Sequence, residues 1–181
     1  MMNPIKTYYI DIDDQTGLEK MSLVEFPAVE VNFEAFADAK KLQFADEEKH
    51  EVFGVALLAG VPIYRYSPSM GEYYVIFTKE AIEKIVLKFF KDGLNSSVNV
   101  EHSIDIEGVT LIESIITSPR VKVEDFDAPE GSWIVGYKIE NAKVWEQVKN
   151  GTFKGFSVEG YFNLLDKLDK PDMDDYIKNL V

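Results

Sequence analysis

Two histidines, His50 and His102, are the scarce chemical resource of this 181-residue chain, which has no cysteine. Without a thiolate, proton transfer near neutral pH falls first to imidazole, whose ordinary pKa lies in that range. His50 sits in the charged run DEEKHEVFG and reads as a surface residue. His102 closes the strand-like segment VNVEHS and is surrounded in sequence by Glu101, Asp105 and Glu107. A carboxylate beside an imidazole can accept its second N–H, hold one tautomer and stabilise the imidazolium.

Ten serines could partner such a base, and most lie in turns, where hydroxyls cap backbone groups. Ser157, in KGFSVEG, does not: it stands between Phe156 and Val158 and is bracketed by Gly155 and Gly160. Glycines at such positions let another backbone or a substrate strand approach closely. Taken by itself the local pattern is that of a strand serine facing solvent. No GxSxG elbow accompanies it. Glu159 has the same strand parity as Ser157, as a neighbouring charge or as plain surface.

The elements that must hold these residues are legible from periodicity. Residues 6–12, 21–26, 28–36, 41–58, 62–66 and 72–78 read as strands, with SPSMG as a hairpin connection. Thr78 caps a helix whose Ile82, Ile85, Val86 and Phe89 make a core-facing stripe, ended by Gly93. Residues 98–103 and 109–117 are expected to pair as a hairpin through IDIEG, which sets His102 opposite Leu111 and Glu113 diagonally beside it. Residues 132–139 form a further strand, Asn141 caps a short helix closed by Gly151, and 153–164 makes a glycine-punctuated strand. A last helix is expected after Pro171. Many strands with two or three helices indicate an α+β fold on an antiparallel sheet or barrel. We divide the chain into an N-terminal strand segment, 1–45, a main domain, 46–165, and a charged tail, 166–181.

Composition narrows the partners. A net charge of −13, from 19 basic and 32 acidic residues, repels phosphate backbones and anionic lipids. Nucleic acid and membrane are therefore not expected as partners. Only Arg65 and Arg120 supply guanidinium groups. One well-placed histidine without HExxH-type spacing is too few ligands for a metal centre, so no metal or cofactor is expected. No signal peptide and no run of membrane-spanning length is read, which suggests a soluble intracellular protein.

The succession of blocks goes further. PIYRYSPSMGEYYVIFTKEAIEKIVLKF, then NVEH, GVTLIES and GSWIVGYKIENAKVWEQVKNGTFKGFSVEGYF, over residues 52–163, resembles the XkdF-like phage serine proteases. These are prohead maturation proteases related to herpesvirus assemblin. The resemblance implies a β-barrel-like, herpesvirus-protease-like core flanked by helices. It carries His102 over as general base from the NxEH block and Ser157 as nucleophile from the GFSxEG block. The third member is taken as Glu113 of the LIES block, over Glu159 or Asp105. Ile115 stands where the family pattern has Trp, a packing change. The implied activity is endoproteolysis of phage scaffold protein and the N-terminal region of the major capsid protein. Its implied place is inside the assembling prohead, in the host bacterial cytoplasm. Assemblin relatives raise a homodimer, and a scaffold partner is expected as a separate chain. The alternative is an inactive capsid- or scaffold-binding module of the same fold. An approach of Ser157 Oγ to His102 within about 3–4 Å discriminates the two.

Overall fold

A computed structural model of the chain describes residues 5–27, 43–46, 49–123 and 126–166. The strand expected over 28–36 and the helix after Pro171 lie outside these residues.

Twelve strands and two helices are described. Their order is β1 (Lys6–Asp11), β2 (Gly17–Val24), β3 (Gln43–Asp46), β4 (Glu51–Leu57), β5 (Ile63–Ser67), β6 (Gly71–Phe77) and α1 (Lys79–Lys91). There follow β7 (Val98–Val100), β8 (Ile104–Ile106), β9 (Val109–Ile116), β10 (Trp133–Ile139), α2 (Ala142–Lys149), β11 (Gly155–Tyr161) and β12 (Asn163–Leu165). Both helix caps form as their residue types require. Thr78 Oγ1 accepts from the Ala81 N–H at 3.1 Å, and Asn141 Oδ1 accepts from Lys143 and Val144.

The strands make three four-stranded sheets, ordered β12-β1-β6-β5, β3-β4-β10-β9 and β11-β2-β7-β8. The fold is α+β, but the barrel-like antiparallel core expected above needs correction. No closed barrel forms among the described residues, and β1–β6 and β2–β7 pair in parallel. A parallel pair needs a long crossover. The chain therefore leaves after β1 and β2 and returns much later to pair with them. The hairpin between 98–103 and 109–117 is also corrected. Ile104–Ile106 folds straight back on Val98–Val100, and β9 pairs with β10 in another sheet.

One large core joins the layers. From α1, Ile82, Ile85 and Phe89 pack inward, and the Phe89 ring lies edge-on to Trp133 of β10 at 5.5 Å. Met21, Leu23, Val98 and Phe156 enter the same core from the third sheet. The N-terminal segment is built into this frame: β2 lies between β11 and β7, and α1 packs against it.

Tyr137 of β10 is fully buried, with its ring 5.3 Å from that of Phe156. Among the described residues its hydroxyl has no hydrogen-bond partner, and burial alone pushes its pKa far above the ordinary tyrosine value. An unpaired buried hydroxyl carries a desolvation cost that phenylalanine does not. Tyr137→Phe is therefore expected to stabilise the fold by about 1 kcal/mol, raising Tm by about 2–4 °C in a calorimetric scan.

Candidate active site

The third sheet is apolar on one face and polar on the other because three of its strands share a short alternating pattern. Phe156-Ser157-Val158, Met21-Ser22-Leu23 and Val98-Asn99-Val100 each set a small polar residue between two apolar ones. Side chains alternate across a strand, so the apolar members turn to the core and the polar ones to the opposite face. Register then aligns the polar members. Ser157 lies opposite Ser22, Ser22 opposite Asn99, and Asn99 opposite Asp105. Glu159 and Lys20, likewise paired, extend this face, and Lys20 bonds Asp105 at 2.5 Å.

His102 comes over this row from the β7–β8 turn. Ser103 N–H donates to the Val100 carbonyl at 3.1 Å, and φ is positive at both intervening residues, Glu101 (50°) and His102 (52°). That sign pattern belongs to a type I′ turn, normally built from Asn and Gly. Non-glycine residues held there cost of order 1–3 kcal/mol each unless their surroundings enforce them. Here Glu101 is tied on both sides. Its N–H donates to the Leu23 carbonyl at 3.1 Å, and its carboxylate accepts from the Glu25 N–H at 2.6 Å.

The strained turn delivers the imidazole onto two serines. His102 Nε2 lies 3.0 Å from Ser157 Oγ, and Nδ1 lies 2.8 Å from Ser22 Oγ. Beyond them, Ser22 Oγ donates to Asn99 Oδ1 at 2.5 Å, and Asn99 Nδ2 donates to Glu159 Oε2 at 2.7 Å. The direction of every proton follows from that last acceptor. An ionised carboxylate only accepts, so the Asn99 amide turns its NH₂ toward Glu159 and its oxygen toward Ser22. The Ser22 hydroxyl has one proton, spends it on Asn99 and must accept from Nδ1–H. Nε2 is left with a lone pair facing the Ser157 hydroxyl. This is the tautomer that a general base toward Ser157 requires. Glu159 Oε2 also stands 3.4 Å from Nδ1, where its charge stabilises an imidazolium.

Burial separates the two serines. Ser22 is 0% exposed and its donor is committed, whereas Ser157 is 6% exposed beneath a His102 side chain that is 41% exposed. Gly160 completes the local frame beside the bulge where β11 shifts register against β2. A Cβ there would stand 2.2 Å from the Gly17 carbonyl oxygen, so the backbones meet as closely as the bracketing glycines suggest.

Of the residues singled out from sequence, the structure brings His102, Ser157 and Glu159 together. Glu113 is not among them. It is exposed on β9, opposite Gly136 of the second sheet, because the tight β7–β8 turn removes the hairpin that would have carried it to His102. His50 stacks on Trp145 at 4.6 Å, away from the serines. Sequence reading missed Ser22 and Asn99, although the repeated apolar–polar–apolar triplet was the available signal. Among the described residues, no group of three or more His, Asp or Glu side chains is placed to hold a metal ion.

The family described as "Putative phage serine protease XkdF" matches residues 42–166, more than half of the chain. The chain belongs to this family. A 128-residue stretch, 70% of the chain, is 27% identical to the "Uncharacterized protein YqbD" of Bacillus subtilis (strain 168). The matched stretch covers 36% of that relative's own length. No solved structure matches the chain. The family match covers β7, β11 and therefore Asn99, His102, Ser157 and Glu159, but begins after β2 and leaves out Ser22.

The relay makes Ser22 a structural keystone as well. Ser22→Ala leaves the Asn99 carbonyl oxygen, in a residue only 2% exposed, without its donor. That substitution is expected to cost about 1–3 kcal/mol, readable in urea titration as a lower midpoint at unchanged slope. Ser157→Ala, at the open end of the chain, is expected to cost less.

Proposed function

We propose that this chain is a serine endopeptidase of phage head assembly, with Ser157 as nucleophile and His102 as general base. The observation that carries the reading is the 3.0 Å approach of Nε2 to Ser157 Oγ, with Nδ1 2.8 Å from Ser22 Oγ.

In this mechanism His102 takes the hydroxyl proton as Ser157 Oγ attacks the scissile carbonyl carbon. The tetrahedral intermediate collapses as the imidazolium returns that proton to the leaving amine, leaving an acyl-serine. Water, deprotonated by the same imidazole, attacks the acyl carbon, and the serine regains its proton. Glu159 serves as the acidic member through Asn99 and Ser22 and through its direct approach to Nδ1. It takes the place that sequence reading assigned to Glu113.

Membership of the family supports the biological setting: cleavage of scaffold protein and the N-terminal region of the major capsid protein in the prohead, within the host cytoplasm. A herpesvirus-protease-like ancestry and a homodimer belong to the same reading. No helix among the described residues is long and apolar enough to cross a membrane, which fits this setting.

Two tests follow. A fluorophosphonate probe is expected to label the native chain at Ser157, located by mass spectrometry. His102→Ala should abolish labelling, and both Ser157→Ala and His102→Ala should leave co-expressed scaffold and capsid precursors uncut. In turnover, each loss is of order 10⁵–10⁶-fold. Cleavage by a folded Ser157→Ala chain would end the assignment. Glu159→Gln is expected to lower kcat about 10²-fold or more with little change in KM, and Glu113→Ala to leave both unchanged. The reverse ranking in steady-state assays would restore Glu113.

A further inference from the structure

Among the described residues, Arg65 of β5 is a cation without a carboxylate partner. It is half-buried and lies opposite Tyr73 of β6. Together with His102, Glu159, Tyr73, Phe162 and Leu164 it lines a groove of about 520 Å³. Its guanidinium carries five N–H donors, and the contact it makes is Nη1 to the neighbouring Tyr64 carbonyl at 3.1 Å. Among the described residues no carboxylate bonds or ion-pairs with it, in a chain of net charge −13. Glu159, the acid of the same groove, is occupied by Asn99 and faces Nδ1 of His102. Burial pushes the Arg65 pKa below its ordinary value, and nearby Tyr73 offsets this in part.

Cations taken out of water without a partner are unfavourable, so this one marks a place where a partner is missing. The other walls of the groove include Ile10, Val75 and Phe77, all buried apolar side chains. Apolar walls lower the local dielectric and strengthen any charge pair formed between them. A planar fork of N–H donors there matches a carboxylate, which it can hold through two parallel bonds.

We propose that the groove beside His102 is a substrate subsite in which Arg65 binds a carboxylate of an otherwise apolar peptide segment. The inference deepens the protease reading and rests on it for calling the ligand a substrate. Two sources share this chemistry: an Asp or Glu side chain near the scissile bond, and a free peptide C-terminus.

The test uses immobilised full-length Ser157→Ala chain, so that binding is read whether or not the native protein cuts. Four pools of N-acetylated hexapeptides with degenerate apolar residues are compared by mass spectrometry of the retained fraction. They carry one Glu or one Gln at a fixed position, each with an amidated or a free C-terminus. Amidated Glu peptides are expected to be retained at least about 10-fold over amidated Gln peptides, each 1.4 kcal/mol of pairing being a factor of ten. Preference for a free C-terminus regardless of Glu would assign the carboxylate to the chain end. In the Arg65→Gln background the preference should fall to near unity, and in Arg65→Glu it should invert toward the Gln pools. Tm should not fall in Arg65→Gln, because no internal ion pair is lost.

Equal retention of all pools by the Arg65 chain, or no retention of any, overturns the proposal. So does a uniform fall in native cleavage of Glu and Gln peptides on Arg65→Gln, which would make the arginine a general transition-state donor. Selective retention without any cleavage by the native chain would instead defeat the protease reading and leave the carboxylate site standing.

Discussion

The site depends on a row of hydrogen bonds that can run in only one direction. Glu159 accepts and cannot donate, Asn99 has one carbonyl and one amide group, and Ser22 has one proton. Once the carboxylate is ionised, these facts propagate across three strands and settle which ring nitrogen of His102 is protonated. The imidazole does not need its own carboxylate in direct bonding contact, because a neutral relay transmits the orientation. Burial makes the arrangement stringent, since Ser22 and Asn99 have no water to fall back on if a link fails.

Backbone constraints serve the same row. The β7–β8 turn holds two non-glycine residues at positive φ, and its strain is met by ties from Glu101 to Leu23 and Glu25 of the neighbouring strand. β2 thus does three things at once. It supplies Ser22, it pairs with both β11 and β7, and it clamps the turn that carries His102. It also precedes the stretch on which the family is recognised, which begins at residue 42. The recognised stretch therefore contains the serine and the histidine but not the strand that aligns them.

Charge is distributed with similar economy. The surface is strongly acidic, and lysines such as Lys20 and Lys84 are spent on nearby aspartates. Among the described residues Arg65 is left without such a partner, in an apolar groove bordering the imidazole. A cation so placed sits in a molecule whose overall field otherwise repels anions.

Much of this frame was legible from residues alone. Helical spacing and capping types placed α1 and α2, the turn residues placed the β5–β6 hairpin, and strand alternation placed Ser157 with apolar neighbours facing the core. These are local matters, decided by periodicity over a few residues. Pairing was not legible, and the expected hairpin set Glu113 beside His102, where the structure sets Glu159. Val98–Val100 could fold back at once or wait for the longer strand at 109–117, and only contacts from β2, distant in sequence, favour the tight turn. Glu113 and Glu159 each had a plausible parity, and the sheet to which β9 belongs separates them. Sequence by itself determined the chemical types available, a single well-placed imidazole and a strand serine. Tertiary structure alone decided which strands lie side by side, and with them which carboxylate stands beside His102, because a side chain's partners across a sheet depend on register and not on its own neighbours in the chain.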